Sequence, residues 1–278
     1  MRNIKIIALD LDGTLLNSDK QLTEENAAAL ERAAAAGAEI VPATGRFFRG
    51  MPEFIQELPY LRYVISVNGA QVYDIKNQKT VCSSEMPWER AVSVMERLDE
   101  IDVIYDCYQD GWGWMTKALY DKAEEFAPTI HNLKMIRTLR TPVPELKEYL
   151  KEKGEGVQKI QIFFKDLNLR EKMLKVLPEE FPDLVVTTSI VNNIEINSKG
   201  ATKGNALKSL AEYLGVLKTE TMAFGDDDND ISMLKAAGIG VAMGNAAKEA
   251  KEAADYITDS CDNSGVAKAI KHFLENEQ

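Results

Sequence analysis

At 278 residues the chain exceeds the usual size of a single domain, which predicts one large domain or a domain carrying an insert. Its 45% hydrophobic and 28% charged residues are those of a globular protein and exclude a disordered chain. A net charge of -11 disfavours nucleic acid as a partner, because a phosphate backbone is held mainly by Lys and Arg, but it leaves room for a small anionic substrate held by a few local cations and a metal.

Residues 4–9 form a short β-branched apolar run, the pattern of a strand buried on both faces of a parallel sheet. The run leads straight into Asp10 without a small-residue cleavage site, so no signal peptide is expected, and no apolar run reaches membrane-spanning length. Thr23 offers an N-cap, Glu24 and Glu25 suit a first turn, and the alanine-rich stretch to Ala36 stops at Gly37, which predicts a helix. Residues 38–42 read as a second strand, 52–57 as a helix, and 63–67 as a third strand closed by Asn68-Gly69. This β-α-β-α-β order predicts an α/β fold with a doubly wound, mainly parallel, Rossmann-like sheet.

From about Ser83 the rhythm changes: strands at 103–108, 159–164 and 184–190 are separated by long helical or turn-rich stretches. The first rhythm resumes with a helix over 203–214, a strand over 221–224, a helix over 231–236 and strands at 240–242 and 256–257. The expected organisation is therefore a core split in sequence, residues 1–82 and 193–278, around an α+β insert, residues 83–192. Cys82, Cys107 and Cys261 are odd in number and lack metal-ligand spacing, so they read as reduced thiols of a cytoplasmic protein.

In open α/β sheets ligands bind beyond the carboxyl ends of the strands. At the first such end stand Asp10 and Asp12; in extended chain, side chains two residues apart leave one face roughly 7 Å apart and can address one reacting centre. A solvated turn is the plainer reading of Asp-Leu-Asp-Gly-Thr, since Asp and Gly favour turns for local reasons. After the second strand, the Thr44 hydroxyl and the Gly45 amide are suited to a phosphate oxygen. Lys203 opens a helix, where its ammonium can neutralise phosphate or simply lie on the surface. The loop Gly225-Asp226-Asp227-Asp228-Asn229-Asp230 gathers four carboxylates and an amide at one strand end, a crowding that a cation or solvent must relieve. It is not an EF-hand, because position 6 of that pattern would be Ile231 instead of glycine and position 12 Ala237 instead of glutamate. No GxGxxG follows a strand, and neither a P-loop nor a Gly-x-Ser-x-Gly elbow occurs.

In this order, Asp10-Leu-Asp-Gly-Thr14, Thr44-Gly-Arg46, Lys203 and Gly225-Asp-Asp-Asp-Asn-Asp230 resemble the haloacid dehalogenase superfamily, and within it the Cof-type phosphatases with a large C2B-type cap. The resemblance covers nearly the whole chain. It implies a phosphoric monoester hydrolase acting on a small phosphorylated metabolite such as a sugar phosphate. Asp10 would attack phosphorus to give an aspartyl-phosphate, and Asp12 would act as acid and then base. The resemblance further implies Mg²⁺ between Asp10, the backbone carbonyl of Asp12 and Asp226, with Asp230 behind it. Thr44, Lys203 and Asn229, with the Leu11 and Gly45 amides, would hold the phosphate.

Arg46 and Asn68 match positions near the mouth of such a site, where Arg46 is equally consistent with a structural role. The insert would be the cap that closes over the site and selects the leaving group. Within it, Asp110-Gly111 is a hairpin signal, and Trp112 and Trp114 share one face of an adjoining strand, for packing or for stacking on a sugar. His131 and His272 match no motif. A phosphosugar mutase and a non-catalytic phosphosugar-binding regulator are the alternatives, the second opposed by the intact Asp10, Asp12, Lys203 and Asp226. A monomer is the default.

Overall fold

A computed structural model describes residues 3–275. The chain divides into two compact units, one made of the segments up to Ser83 and from Ala201 onward, the other of Ser84–Gly200. The strands of the first segment are β1 (Ile6–Leu9), β2 (Glu39–Pro42), β3 (Tyr63–Ser66), β4 (Gln71–Asp74) and β5 (Lys79–Ser83). Those of the insert are β6 (Val103–Gln109), β7 (Trp112–Thr116), β8 (Arg140–Val143), β9 (Lys159–Phe164), β10 (Leu184–Thr187) and β11 (Asn193–Ser198). The last segment adds β12 (Thr221–Gly225), β13 (Ile239–Ala242) and β14 (Tyr256–Ile257).

The core unit is built on a parallel sheet in the order β14-β13-β12-β1-β2. In β1, Ile7 and Leu9 enter one apolar cluster and Ile6 and Ala8 the other. All four are fully buried, which anchors the chain just before Asp10. A fully buried Ile or Leu is worth about 1.5–3 kcal/mol, so the strand end is a firm platform. The helix Glu24–Ala35 begins at Thr23, whose hydroxyl accepts from the Asn26 amide at 3.3 Å.

The third strand departs from expectation. β3 meets β2 only through the isolated parallel bridges Ile40–Leu61 and Ala43–Ile65, and makes its regular ladder antiparallel to β4, which pairs with β5. Pro42 gives the reason. The Ala43 amide donates to Leu9 O and the Thr44 amide to Ile65 O, so alternation turns position 42 towards β3, where proline has no N–H to give.

The insert is a six-stranded sheet ordered β10-β11-β9-β6-β7-β8, antiparallel except for β7 on β8. One face packs an apolar cluster that includes Val103, Tyr105, Ile160, Ile162, Ile194 and Ile196 against the helices Trp88–Leu98, Leu146–Lys153 and Leu167–Glu180. The other face carries a second apolar cluster around Ile104, Met115 and Phe163. Beside it lies a buried polar network in which Arg140 donates to Asp106, Tyr108 and Gln161. Asp110 and Gly111, at φ 51° and 67°, make the expected two-residue turn between β6 and β7.

Two expected boundaries move. The insert ends at Gly200 and not at residue 192, because β11 completes the insert's sheet between β10 and β9. The strand expected over 184–190 stops at Thr187, since the Asn193 side chain accepts from the Ser189 and Ile190 amides at 3.0 and 2.9 Å and bends the chain back. Among the described residues, no helix is long and apolar enough to cross a membrane.

Candidate active site

Asp10 follows β1 directly, and its amide donates to Phe224 O at 3.1 Å, so the pairing of β1 with β12 extends to the carboxylate. The chain then leaves the extended conformation: the Leu15 amide returns to Asp10 O and the Leu16 amide to Leu11 O. Gly13 turns with φ 84°, and a Cβ there would collide with the Asp226 carboxylate, so glycine is needed for both backbone and space. Thr14 Oγ1 donates to Asp226 Oδ1 at 2.8 Å, tying the first loop to the fourth.

Lys203 is fully buried and sits between two carboxylates, its Nζ 2.6 Å from Asp10 Oδ1 and 2.6 Å from Asp230 Oδ1. The helix it opens is capped by Thr202, whose hydroxyl accepts from the Asn205 amide at 3.1 Å. Asp230 is also fully buried, and its second oxygen accepts from the Asp226 and Asp227 amides at 2.9 and 3.2 Å. That grip folds the acidic loop around a single side chain.

One oxygen from each of Asp10, Asp226 and Asp230 lies within 4.8 Å of the others. When ionised, these three carboxylates and the Lys203 ammonium leave two uncompensated negative charges in a buried place. Burial pushes Asp10 up to about 7 against the opposing Lys203 charge, with Asp230 and Asp226 adding to the rise. Burial likewise lifts Asp226 to about 6, opposed by the Thr14 hydrogen bond and reinforced by Asp230 and Asp227. Lys203 moves up, because the attraction of Asp10 and Asp230 overcomes the burial that alone would lower it. The donor set is all oxygen and carries net charge of the opposite sign, which fits a hard divalent cation such as Mg²⁺.

Asp12 lies outside this cluster. The turn at Gly13 ends the strand geometry that would have put it beside Asp10, and its carboxylate pairs with Lys20 Nζ at 2.9 Å and Arg46 Nη2 at 3.1 Å. Partial burial alone would raise the Asp12 carboxyl, but the hydrogen bonds and charges of Lys20 and Arg46 hold it below its usual value. Lys20 was absent from the sequence-derived set; only a cation shortly after the Asp-Leu-Asp-Gly-Thr segment could have signalled it.

Thr44 is buried, its hydroxyl accepting from the Arg46 amide at 3.2 Å while its carbonyl accepts from the Asn68 amide at 3.0 Å. Asn68 Oδ1 accepts from Asn229 Nδ2 at 3.2 Å, and a Cβ on Gly45 would stand 2.9 Å from the same oxygen. The second, third and fourth strand-end loops therefore meet at Asn68. Leu11 lies between Asp10 and Asp12 with its side chain in the core. His131 is exposed, and His272 stacks on Tyr256 with ring centroids 5.0 Å apart. Trp112 donates to Thr141 Oγ1 at 2.8 Å and Trp114 stacks on Tyr149 at 4.6 Å, so both pack within the insert.

Residues 7–270 match the model of one family, described as haloacid dehalogenase-like hydrolase. The chain belongs to that family. It is 33% identical over 279 residues to the 5-amino-6-(5-phospho-D-ribitylamino)uracil phosphatase YcsE of Bacillus subtilis, covering 98% of this chain and 96% of that one. Among solved structures, a haloalkanoate-superfamily phosphatase from Bacteroides thetaiotaomicron superposes with a TM-score of 0.78 at 31% identity, covering 98% of this chain and 96% of that one. A subclass IIB sugar phosphatase of the same superfamily gives 0.76 at 26% identity, covering 97% and 98%. Within the haloacid dehalogenase-like hydrolases, the chain is a phosphatase of the Cof or IIB type, a phosphoric monoester hydrolase.

Proposed function

We propose that this phosphatase is Mg²⁺-dependent and hydrolyses small phosphorylated metabolites, sugar phosphates among them, through an aspartyl-phosphate on Asp10. The observation that carries the reading is the Asp10, Asp226 and Asp230 cluster closed on one side by Lys203. A nucleophilic carboxylate, an oxygen cage and a fixed ammonium are the parts that phosphoryl transfer needs. Asp10, Asp226 and the Asp12 carbonyl would hold the metal, with Asp230 orienting the loop from behind. When bound, the ion supplies positive charge that offsets the repulsion between carboxylate and phosphate.

In the first step an Asp10 oxygen forms a bond to phosphorus, the bond from phosphorus to the leaving oxygen breaks, and that oxygen takes a proton from Asp12. In the second, Asp12 takes a proton from water, whose oxygen attacks phosphorus and releases Asp10. Thr44, Lys203 and Asn229, with the Leu11 and Gly45 amides, hold the phosphate oxygens throughout. At rest Lys20 and Arg46 keep Asp12 ionised. A phosphate dianion competes for both cations and adds negative charge nearby, and both effects favour the protonated carboxyl that the first step requires.

The sugar-phosphate preference rests on the likeness to the subclass IIB sugar phosphatase, with the insert as the cap that selects the leaving group. The free thiols Cys82, Cys107 and Cys261 support a reducing, cytoplasmic setting. Asp10→Asn tests the assignment: Mg²⁺-dependent phosphate release from p-nitrophenyl phosphate is expected to vanish while the circular dichroism spectrum and melting profile remain those of a folded protein. Sustained turnover in that variant would remove Asp10 from the role of nucleophile.

A further inference from the structure

The turn after β3 has an unusual backbone. Val67, Asn68 and Gly69 follow one another with φ of 52°, 57° and 96°. Left-handed conformation is rare for any residue with a side chain and a genuine outlier for a β-branched one, so Val67, which is fully buried, is held there against its own preference. Strain of this kind persists only where the surroundings over-determine it. Here they do: the Val67 amide donates to Arg46 O at 2.9 Å, the Asn68 amide to Thr44 O at 3.0 Å, and the Ala70 amide to Val67 O at 3.1 Å. On its far side the turn presses on the residue before Lys203, since a Cβ on Gly69 would run into the Thr202 carbonyl.

The side chain that this backbone presents is Asn68, whose Oδ1 accepts from Asn229 Nδ2 at 3.2 Å. Asn229 is exposed, in the middle of the single turn Asp228–Asp230. An exposed amide can turn either its N–H₂ or its carbonyl towards a ligand, and only the N–H₂ suits a phosphate oxygen. An acceptor fixed on the neighbouring loop removes that ambiguity, because it engages one N–H and leaves the second pointing from the same nitrogen.

We propose that Asn68 is a positioning residue: the strained Val67–Gly69 turn places its carbonyl oxygen so that Asn229 presents an N–H, and not its own carbonyl, to the phosphate. The inference rests on the proposed reading of Asn229 as a phosphate ligand and goes beyond it by assigning the orientation of that ligand to a second loop. It replaces direct substrate contact as the role of Asn68.

The test is a double-mutant cycle of Asn68→Gly and Asn229→Ala, read by the dissociation constant of inorganic phosphate from the Mg²⁺-loaded protein and by kcat/KM for p-nitrophenyl phosphate. Glycine takes left-handed φ without cost, so Asn68→Gly removes the acceptor and leaves the turn intact; its melting temperature reports on that. In the parent background Asn68→Gly is expected to weaken phosphate binding and lower kcat/KM by about tenfold, the scale of one lost charge-assisted hydrogen bond, while in Asn229→Ala it changes neither by more than about twofold. The same loss in both backgrounds would mean that Asn68 acts on the phosphate by itself, and no loss in the parent would mean that it acts on nothing; either result overturns the proposal. Phosphate binding needs no turnover, so a protein that binds phosphate through this pair yet fails to hydrolyse esters sinks the catalytic reading alone.

Discussion

Lys203→Met removes a cation that is fully buried between Asp10 and Asp230 at 2.6 Å from each, and substitutes an apolar side chain of similar length. Taking one partner from a buried ionic group typically costs about 3–5 kcal/mol, because the remaining charge keeps its burial and loses its compensation. For a protein of this size each kcal/mol lowers the melting temperature by roughly 2–4 °C, so a fall of roughly 6–20 °C is expected at alkaline pH without metal. The cost depends on pH with a definite sign. With Lys203 present, burial already lifts the Asp10 carboxyl from its ordinary 3.8 to about 7, and without it the value rises further. A carboxyl whose folded value lies above its unfolded one destabilises the protein as pH rises through the unfolded value, and the loss is complete once pH passes the folded one. The penalty of Lys203→Met is therefore largest at pH 8 and smaller at pH 5, where Asp10 is neutral in both proteins. Urea unfolding in EDTA at the two pH values measures it. A penalty under about 1 kcal/mol at pH 8, or one equal at both, would refute the view that Lys203 is held there by charge.

Two further predictions follow from the same geometry. Mg²⁺ binding must displace the protons that Asp10 and Asp226 retain up to about 7 and 6, so affinity by titration calorimetry is expected to fall by roughly tenfold or more between pH 8 and pH 5.5; pH-independent affinity would place the ion elsewhere. Gly69→Ala, at φ 96° and against the Thr202 carbonyl, is expected to cost about 2–4 kcal/mol. Gly37→Ala, at φ 95° with nothing within 4 Å, bears only the left-handed penalty of about 1–2 kcal/mol. Equal costs by chemical unfolding would contradict the close approach of the turn to the residue before Lys203.

The parts of the fold that were legible in the sequence are those whose side chains obey one environment along their length. β1 is apolar at every position and β12 from Met222 to Phe224, and the helix Glu24–Ala35 announces its start through Thr23, so their ends are readable to within a residue or two. β4 and β5 escaped notice because Gln71, Asp74, Lys79 and Thr80 interrupt any period of two. Asp74 is nonetheless fully buried, since it accepts from the Asn77 amide and side chain at 3.0 and 2.8 Å and pairs with Arg62. Residues 193–198, in which no strand is legible, fall outside the expected insert for a related cause: Asn193, Glu195 and Asn197 are buried, satisfied by Ser189, Lys159 and the Gln158 carbonyl, and nothing local marks them as interior.

Asp10 and Asp12 make the same argument at the site itself. Both were legible as carboxylates at a strand end, and one residue separates them. Yet burial carries Asp10 up to about 7, whereas Lys20 and Arg46 carry Asp12 below its usual value. The difference comes from partners far along the chain: Lys203 lies 193 residues beyond Asp10, and Asp226 lies 212 beyond the Thr14 that binds it. A motif names which side chains end a strand, but which cation each receives depends on loops from other strands converging there. Lys203 illustrates this most sharply, since as a helix-opening lysine it was indistinguishable from a surface residue, and only the parallel arrangement of β1 beside β12 brings Asp10 and Asp230 to its ammonium. Two carboxylates that stand two positions apart can thus be driven in opposite directions, Asp10 up and Asp12 down, because the long-range contacts, and not the spacing, set their charges.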